Sequence, residues 1–214
     1  MIQAENKFVN AAIGSNETIL QDIHIKSKNI AVYQRDITTL SPELERISEY
    51  AVECRATGTM EEILSILDDY FTNHLPEAPA LLKDISELLD VFKQTTDSPS
   101  FRLLLATVNT NMCRKFHTDV NDLRMLCTYI GPGTHWVPNE GVNQKALQLR
   151  GSNQEIVKDP QQIQRVQTGD VVILKGALYP EANPILHRSP PIEKTKEKRL
   201  LLRIDTNEFL NFLS

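Results

Sequence analysis

Leu123-Arg124-Met125-Leu126-Cys127-Thr128-Tyr129-Ile130, followed at once by Gly131-Pro132-Gly133, is the stretch that decides the fold. The run is rich in apolar and β-forming residues, and the Gly-Pro-Gly that ends it is first of all a turn, so it reads as a strand closed by a reversal. Similar short runs lie on either side, at Phe101 to Val108, Ala146 to Leu149, Asp170 to Leu174, Ile185 to Arg188 and Leu200 to Ile204. Several short strands separated by Gly, Pro and Asn turns predict a sandwich or barrel. The basic and acidic hexamer Lys194 to Arg199 reads as a solvated hairpin loop.

Upstream the period changes. Asn29 to Gln34 is one more β-branched and aromatic run, but Ser41-Pro42-Glu43 then places an N-cap, a proline in the first turn and an acid beside it. A helix is expected from Pro42, with Leu44, Ile47 and Ala51 on its apolar face. Thr59-Met60-Glu61-Glu62 is a capping box that opens a second helix, carried by Ile63, Leu64, Leu67, Tyr70 and Phe71. After Leu75-Pro76-Glu77-Ala78-Pro79, the stripe Leu81, Leu82, Ile85, Leu88, Leu89 and Phe92 gives a third. The turn-rich Thr95 to Ser100 places a seam near Ser98. The expected class is α+β, with residues 1–98 as a strand and helices supporting a β domain over 99–214.

Among 214 residues, 41% are hydrophobic and 24% charged, which is ordinary globular usage, and the net charge of −5 gives no pull toward nucleic-acid phosphates or anionic membranes. The start of the chain lacks a leader pattern and no apolar run approaches a membrane span of about 18 residues. A cytoplasmic location is expected, with monomer and homodimer both open. Cys54, Cys113 and Cys127 are too few and too scattered for a disulfide framework and read as thiols; His24 and His74, in the helical half, read as surface residues.

The chemistry is carried by Phe116-His117-Thr118-Asp119 and, far downstream, Ile185-Leu186-His187-Arg188-Ser189-Pro190-Pro191. Two imidazoles and a carboxylate can occupy one face of an octahedral metal and leave the other open, the facial arrangement of non-haem iron(II) sites. Residues two apart in an extended segment project to the same side, so His117 and Asp119 can point inward together. Arg124, Tyr129, Thr134 and Trp136 follow on or just after the next strand, and Arg188 adjoins the distal histidine. Tyr129 and Thr134 suit a carboxylate; Arg124, Trp136 and Arg188 suit a substrate pocket. Each of these also suits a purely structural place. A zinc site using Cys113, His117 and Cys127 is the rival, though the paired cysteine spacing usual for zinc is absent.

His-x-Asp, a distal His and then an Arg some way on resemble the double-stranded β-helix oxygenases that use iron(II) and 2-oxoglutarate. More specifically, Phe116 to Asp119, Arg124 to Pro138, Leu174-Lys175-Gly176 and His187 to Pro191 resemble a bacterial family catalogued as domain of unknown function 1826. The resemblance implies a jelly-roll or cupin-like barrel with the helical region on its outer face, and a dioxygenase acting on a small-molecule substrate. It also implies that Arg199 anchors 2-oxoglutarate. Alternation puts Arg199 and Arg203 on one face and leaves both candidates; the family pattern favours Arg199. A non-catalytic zinc-binding or other metal-binding protein on the same scaffold is the alternative. His135 stands where that family more often has an acid and receives no role.

Overall fold

The computed structural model describes residues 8–180 and 183–206. Met1 to Lys7, on which the expectation about a leader bears, lie outside them. The elements are β1 (Ala11–Gly14), β2 (Ile30–Tyr33), α1 (Ser41–Ile47), β3 (Glu53–Gly58), α2 (Met60–His74), α3 (Pro79–Thr95), β4 (Phe101–Val108) and β5 (Leu123–Ile130). There follow β6 (His135–Val137), α4 (Gln144–Gln148), α5 (Asn153–Ile156), β7 (Gln164–Arg165), β8 (Val171–Lys175), β9 (Leu186–Arg188) and β10 (Arg199–Thr206). Seven strands form one sheet in the order β1-β2-β8-β5-β10-β4-β3, and β7-β6-β9 form a second. All pairings are antiparallel except that of β1 with β2.

Alternation along β5 and β10 separates two environments. Leu123, Met125, Cys127 and Tyr129, with Leu200, Leu202 and Ile204, join the core that includes Leu67, Phe71, Ile85 and Phe92 of the helices. Leu126 and Leu201 turn to the other face and meet Trp136 of the small sheet. The helical layer thus covers one face of the large sheet, and the small sheet covers the other. A third cluster, including Phe116, Val137, Ile156 and Leu186, closes the outer side of the small sheet.

The helices begin where their caps are made. The Thr59 hydroxyl accepts the Glu62 amide, and the Glu62 carboxylate accepts the Thr59 amide at 2.8 Å, so α2 starts on a complete capping box. The N-cap of α3 is Ala78, which has no side-chain acceptor; Glu43 of α1 reaches across instead and accepts the amides of Ala80 and Leu81 at 3.0 and 2.9 Å. Gly131, at φ +79, needs glycine, and a Cβ there would lie 2.2 Å from the Lys198 carbonyl oxygen; Gly133 needs it for close approach, since a Cβ would lie 2.2 Å from the Val166 carbonyl oxygen.

The expected strands at 101–108 and 123–130 match β4 and β5, and three helices begin near Pro42, Met60 and Pro79. Ala146 to Leu149 is a correction: Asn143 caps the Ala146 amide, and the segment forms the short helix α4. The first helix stops at Ile47, short of Ala51. Residues 194–198 are exposed as expected of a solvated loop, but Arg199 is only 1% exposed and starts β10. Ser98 separates α3 from β4, while β1, β2 and β3 lie in the same sheet as the strands that follow it.

Candidate metal centre

His117 and His187 are brought together by the backbone. The amide of each donates to the carbonyl of the other at 3.0 Å, an isolated antiparallel bridge that extends the small sheet beyond β9. Residues paired this way present their side chains on the same face, and the two rings lie 4.6 Å apart between centroids. Each ring is oriented by its own strand: His117 Nδ1 contacts the Lys115 carbonyl at 3.1 Å, and His187 Nδ1 the Ile185 carbonyl at 3.2 Å. A ring that donates from Nδ1 to a carbonyl leaves Nε2 with its lone pair free, which is the tautomer a metal needs.

Both Nε2 atoms face Asp119, at 3.6 Å for His117 and 3.3 Å for His187. Asp119 sits in a loop rather than a strand; its carbonyl accepts the Ala177 amide at 2.8 Å, and its side chain turns inward to 8% residue exposure. One ligand atom from each of the three residues falls within 4.8 Å of the others. Asp119 Oδ2 is buried and accepts no hydrogen bond. Two imidazole nitrogens and one carboxylate, whose Oδ2 accepts no hydrogen bond, are a donor set that fits a first-row divalent cation.

The metal-free electrostatics reflect the crowding. Asp119, with help from the Cys113 thiol, raises His117 to about 10, so this ring carries a proton at neutral pH. Burial pulls Asp119 upward, but the His117 imidazolium outweighs it, with His187 and Arg124 assisting, and the carboxyl stays at about 2. Burial lowers His187 to about 4 in spite of the adjacent carboxylate, keeping that ring neutral.

Arg124 projects from β5 between two acids, with Nη1 2.6 Å from Asp119 Oδ1 and Nε 2.5 Å from Asp205 Oδ1. Expected at a substrate pocket, Arg124 lines the cavity at this site, and its guanidinium is engaged by Asp119 and Asp205. Arg203 Nε lies 3.2 Å from the other oxygen of Asp205. Arg199 differs from both. It is almost fully buried, its Nη2 donates to the Thr128 hydroxyl at 3.0 Å, its Nε has no acceptor, and among the described residues it pairs with no carboxylate. Burial lowers its pKa to about 10, yet it stays cationic at neutral pH.

A cavity of about 50 Å³ is bounded by His117, His187, Arg124, Thr134, Arg188 and Arg199, among others, so most of the expected site residues converge. Two do not. Tyr129 points through the opposite face of the sheet, where its hydroxyl donates to Asp84 Oδ2 at 2.6 Å; strand parity separates it from Arg124 and Thr128. Trp136 packs between the sheets, edge-on to Phe8 at 5.4 Å. The rival zinc set also divides: Cys127 is buried on the helix side, 3.5 Å from Arg35, while Cys113 lies at the cavity. His24 and His74 are exposed, as expected. Thr128 and Asp205 were missed, although alternation from Arg124 and from Arg203 puts each on the site face.

A family model described as protein of unknown function (DUF1826) matches residues 14–205. No curated protein sequence matches the chain. Among solved structures, the chain is similar to the Arabidopsis thaliana dioxygenase for auxin oxidation 1 in complex with 2-oxoglutarate, with a TM-score of 0.52 and 9% identity over 92% of each chain. A Pseudomonas putida prolyl-4-hydroxylase aligns at a TM-score of 0.45 and 10% identity, over 88% of this chain and 96% of that one. At this identity the first likeness concerns the fold. Among the described residues, no helix is long and apolar enough to cross a membrane.

Proposed function

We propose that this chain, which belongs to the DUF1826 family of proteins of unknown function, is a non-haem iron(II)/2-oxoglutarate-dependent oxygenase on a double-stranded β-helix scaffold, acting on a small-molecule substrate. The observation that carries the reading is the convergence of His117, Asp119 and His187, with both histidines lining a cavity that also holds Arg199, a buried guanidinium without a carboxylate partner among the described residues. The fold shared with a dioxygenase solved with 2-oxoglutarate supports it. On this reading residues 1–98 supply edge strands and helical cover to a metal-binding unit over 99–214, and the protein works in the cytoplasm without nucleic acid.

His117 and His187 would hold iron(II) through Nε2, and Asp119 through its carboxylate. The metal with 2-oxoglutarate supplies the oxidising power, coupling decarboxylation of the keto acid to hydroxylation of a substrate by oxygen. What the chain contributes is position and polarity. Arg124 fixes Asp119, and the backbone bridge fixes the separation of the two imidazoles. Arg199, aimed by Thr128, receives the distal carboxylate of 2-oxoglutarate, a task suited to the guanidinium fork, with Thr134 at hand in the same cavity. Arg203 supports Asp205.

Anaerobic reconstitution with iron(II) and 2-oxoglutarate tests this. The expected result is a weak visible charge-transfer band that is absent in His187→Ala, with succinate formed on admission of air. Failure of the iron-loaded protein to bind 2-oxoglutarate, with zinc held tightly instead, would favour a non-catalytic zinc protein. The place of Cys113 beside His117 is the observation on that side.

A further inference from the structure

We infer that the substrate is a small anion, carrying a carboxylate or a group of like charge, seated in the cleft beside the metal centre and recognised by Arg188. The inference rests on the oxygenase reading and assigns its substrate class. At about 50 Å³, the triad cavity leaves no room for a substrate beside the metal and 2-oxoglutarate of the oxygenase reading. A cleft of about 300 Å³, near the lower end of ligand-pocket sizes, shares Arg188 and Ser189 with it and so adjoins the triad cavity.

Charge pairing around the two spaces is uneven. Asp119 and Asp205 are taken by Arg124 and Arg203, and Glu193, the acid at the cleft, is taken by Arg114 at 2.8 Å. Among the described residues, Arg199, Arg188 and the exposed Lys194 at the cleft are left without a carboxylate. Arg199 lies deep and faces Thr128. Arg188 follows His187 on β9, stacks its guanidinium 4.6 Å from the Phe116 ring, has a buried Nε without an acceptor and meets no carboxylate among the described residues. Its cross-strand neighbour His135 is 7% exposed, also has a buried unpartnered Nδ1, and sits among Arg188, Arg165 and Arg199. Stacking on Phe116 holds the guanidinium plane while leaving its edge for a bidentate acceptor. One leftover arginine suits the distal carboxylate of 2-oxoglutarate; the second calls for another anion, and the substrate is the remaining occupant.

The test uses protein loaded with manganese(II) and saturated with 2-oxoglutarate, so that the metal and Arg199 are occupied. Calorimetric titration with benzoate and hexanoate, against benzamide and hexanamide, should show the acids binding and the amides weaker by about ten- to hundred-fold, the value of a charge-assisted pair. Arg188→Gln should abolish the preference while 2-oxoglutarate binding stays at the wild-type level, and Arg188→Lys should restore part of it. Equal binding of acids and amides, absence of acid binding, or an Arg188→Gln protein that keeps the preference would overturn the inference. Failure of 2-oxoglutarate itself to bind would instead overturn the oxygenase reading, so the two failures separate.

Discussion

Arg124 Nη1 lies 2.6 Å from Asp119 Oδ1, so the carboxylate of the candidate metal site is gripped on one oxygen by a half-buried arginine while its other oxygen accepts no hydrogen bond. Asp205 holds the same guanidinium from the opposite side at 2.5 Å. The chain Asp205–Arg124–Asp119 fixes the carboxylate plane before a metal arrives. Removing such support costs about 10- to 100-fold in metal affinity. Arg124→Met should therefore weaken manganese(II) binding by that factor in a calorimetric titration, and Asp205→Asn by less, because Asp119 keeps its direct partner. Wild-type affinity in Arg124→Met would show that the ion pair does not position the ligand.

Metal binding should be linked to proton release. In the metal-free protein His117 is raised from 6.5 to about 10, so at pH 7.5 its ring is protonated and must lose that proton to ligate. Close to one proton per bound metal should leave between pH 7 and 9, measurable from titration enthalpies in buffers of different ionisation heat, with affinity rising as pH rises. The sign for stability runs the other way. The raised folded pKa of His117 gives the metal-free fold a contribution that is complete below about 6.5 and disappears as pH rises through about 10. Above neutral pH, saturating metal should accordingly raise the unfolding temperature by more than it does near pH 6.

Arg199 and Arg203 are separated by their partners rather than by their spacing. Arg203 shares Asp205 with Arg124, whereas Arg199 has, among the described residues, only the Thr128 hydroxyl. Arg199→Gln should lower 2-oxoglutarate affinity by about ten-fold or more while the metal stays bound, since charge-assisted bonds contribute about 1.5–3 kcal/mol. Thr128→Val, which removes only the aiming bond, should cost about 1 kcal/mol of that affinity, or about five-fold. Equilibrium binding of 2-oxoglutarate to the manganese(II) form measures both. A loss confined to Arg203→Gln would transfer the anchoring role to that residue.

Strand parity made the sheet legible, and the same rule explains both the successes and the misses at the site. Leu123 to Ile130 alternates cleanly enough to set one face toward the helices, yet Tyr129 was grouped with Arg124 by closeness in sequence, although their parity differs. The pairing of His117 with His187 was readable only as a need for convergence, because an isolated bridge of one residue pair leaves no periodic trace. Likewise β3 and β6 are short or flanked by polar residues, and the cap that Asn143 gives α4 outweighs the apolar run that suggested a strand. Asp205, which engages Arg124, and Thr128, which aims Arg199, come from strands distant in sequence, so composition and spacing alone did not distinguish an engaged arginine from a waiting one.

On the helix side of the sheet, Asp84 of α3 accepts Arg35 through two bonds of 2.6 and 2.9 Å and the Tyr129 hydroxyl at 2.6 Å. This cluster ties α3 to β5 and to the segment after β2, and it is separated from the candidate metal site by the thickness of the sheet. Tyr129→Phe deletes one bond but leaves Asp84 neutralised by Arg35, so the expected cost is about 1–2 kcal/mol. Asp84→Ala leaves the mostly buried Arg35 without its counter-charge and should cost about 3 kcal/mol or more. Urea denaturation of the metal-free proteins measures both, and each folded variant should bind manganese(II) and 2-oxoglutarate like the wild type. A Tyr129→Phe protein with unchanged stability and weakened 2-oxoglutarate binding would return the tyrosine to the cofactor site, against the direction its hydroxyl takes here.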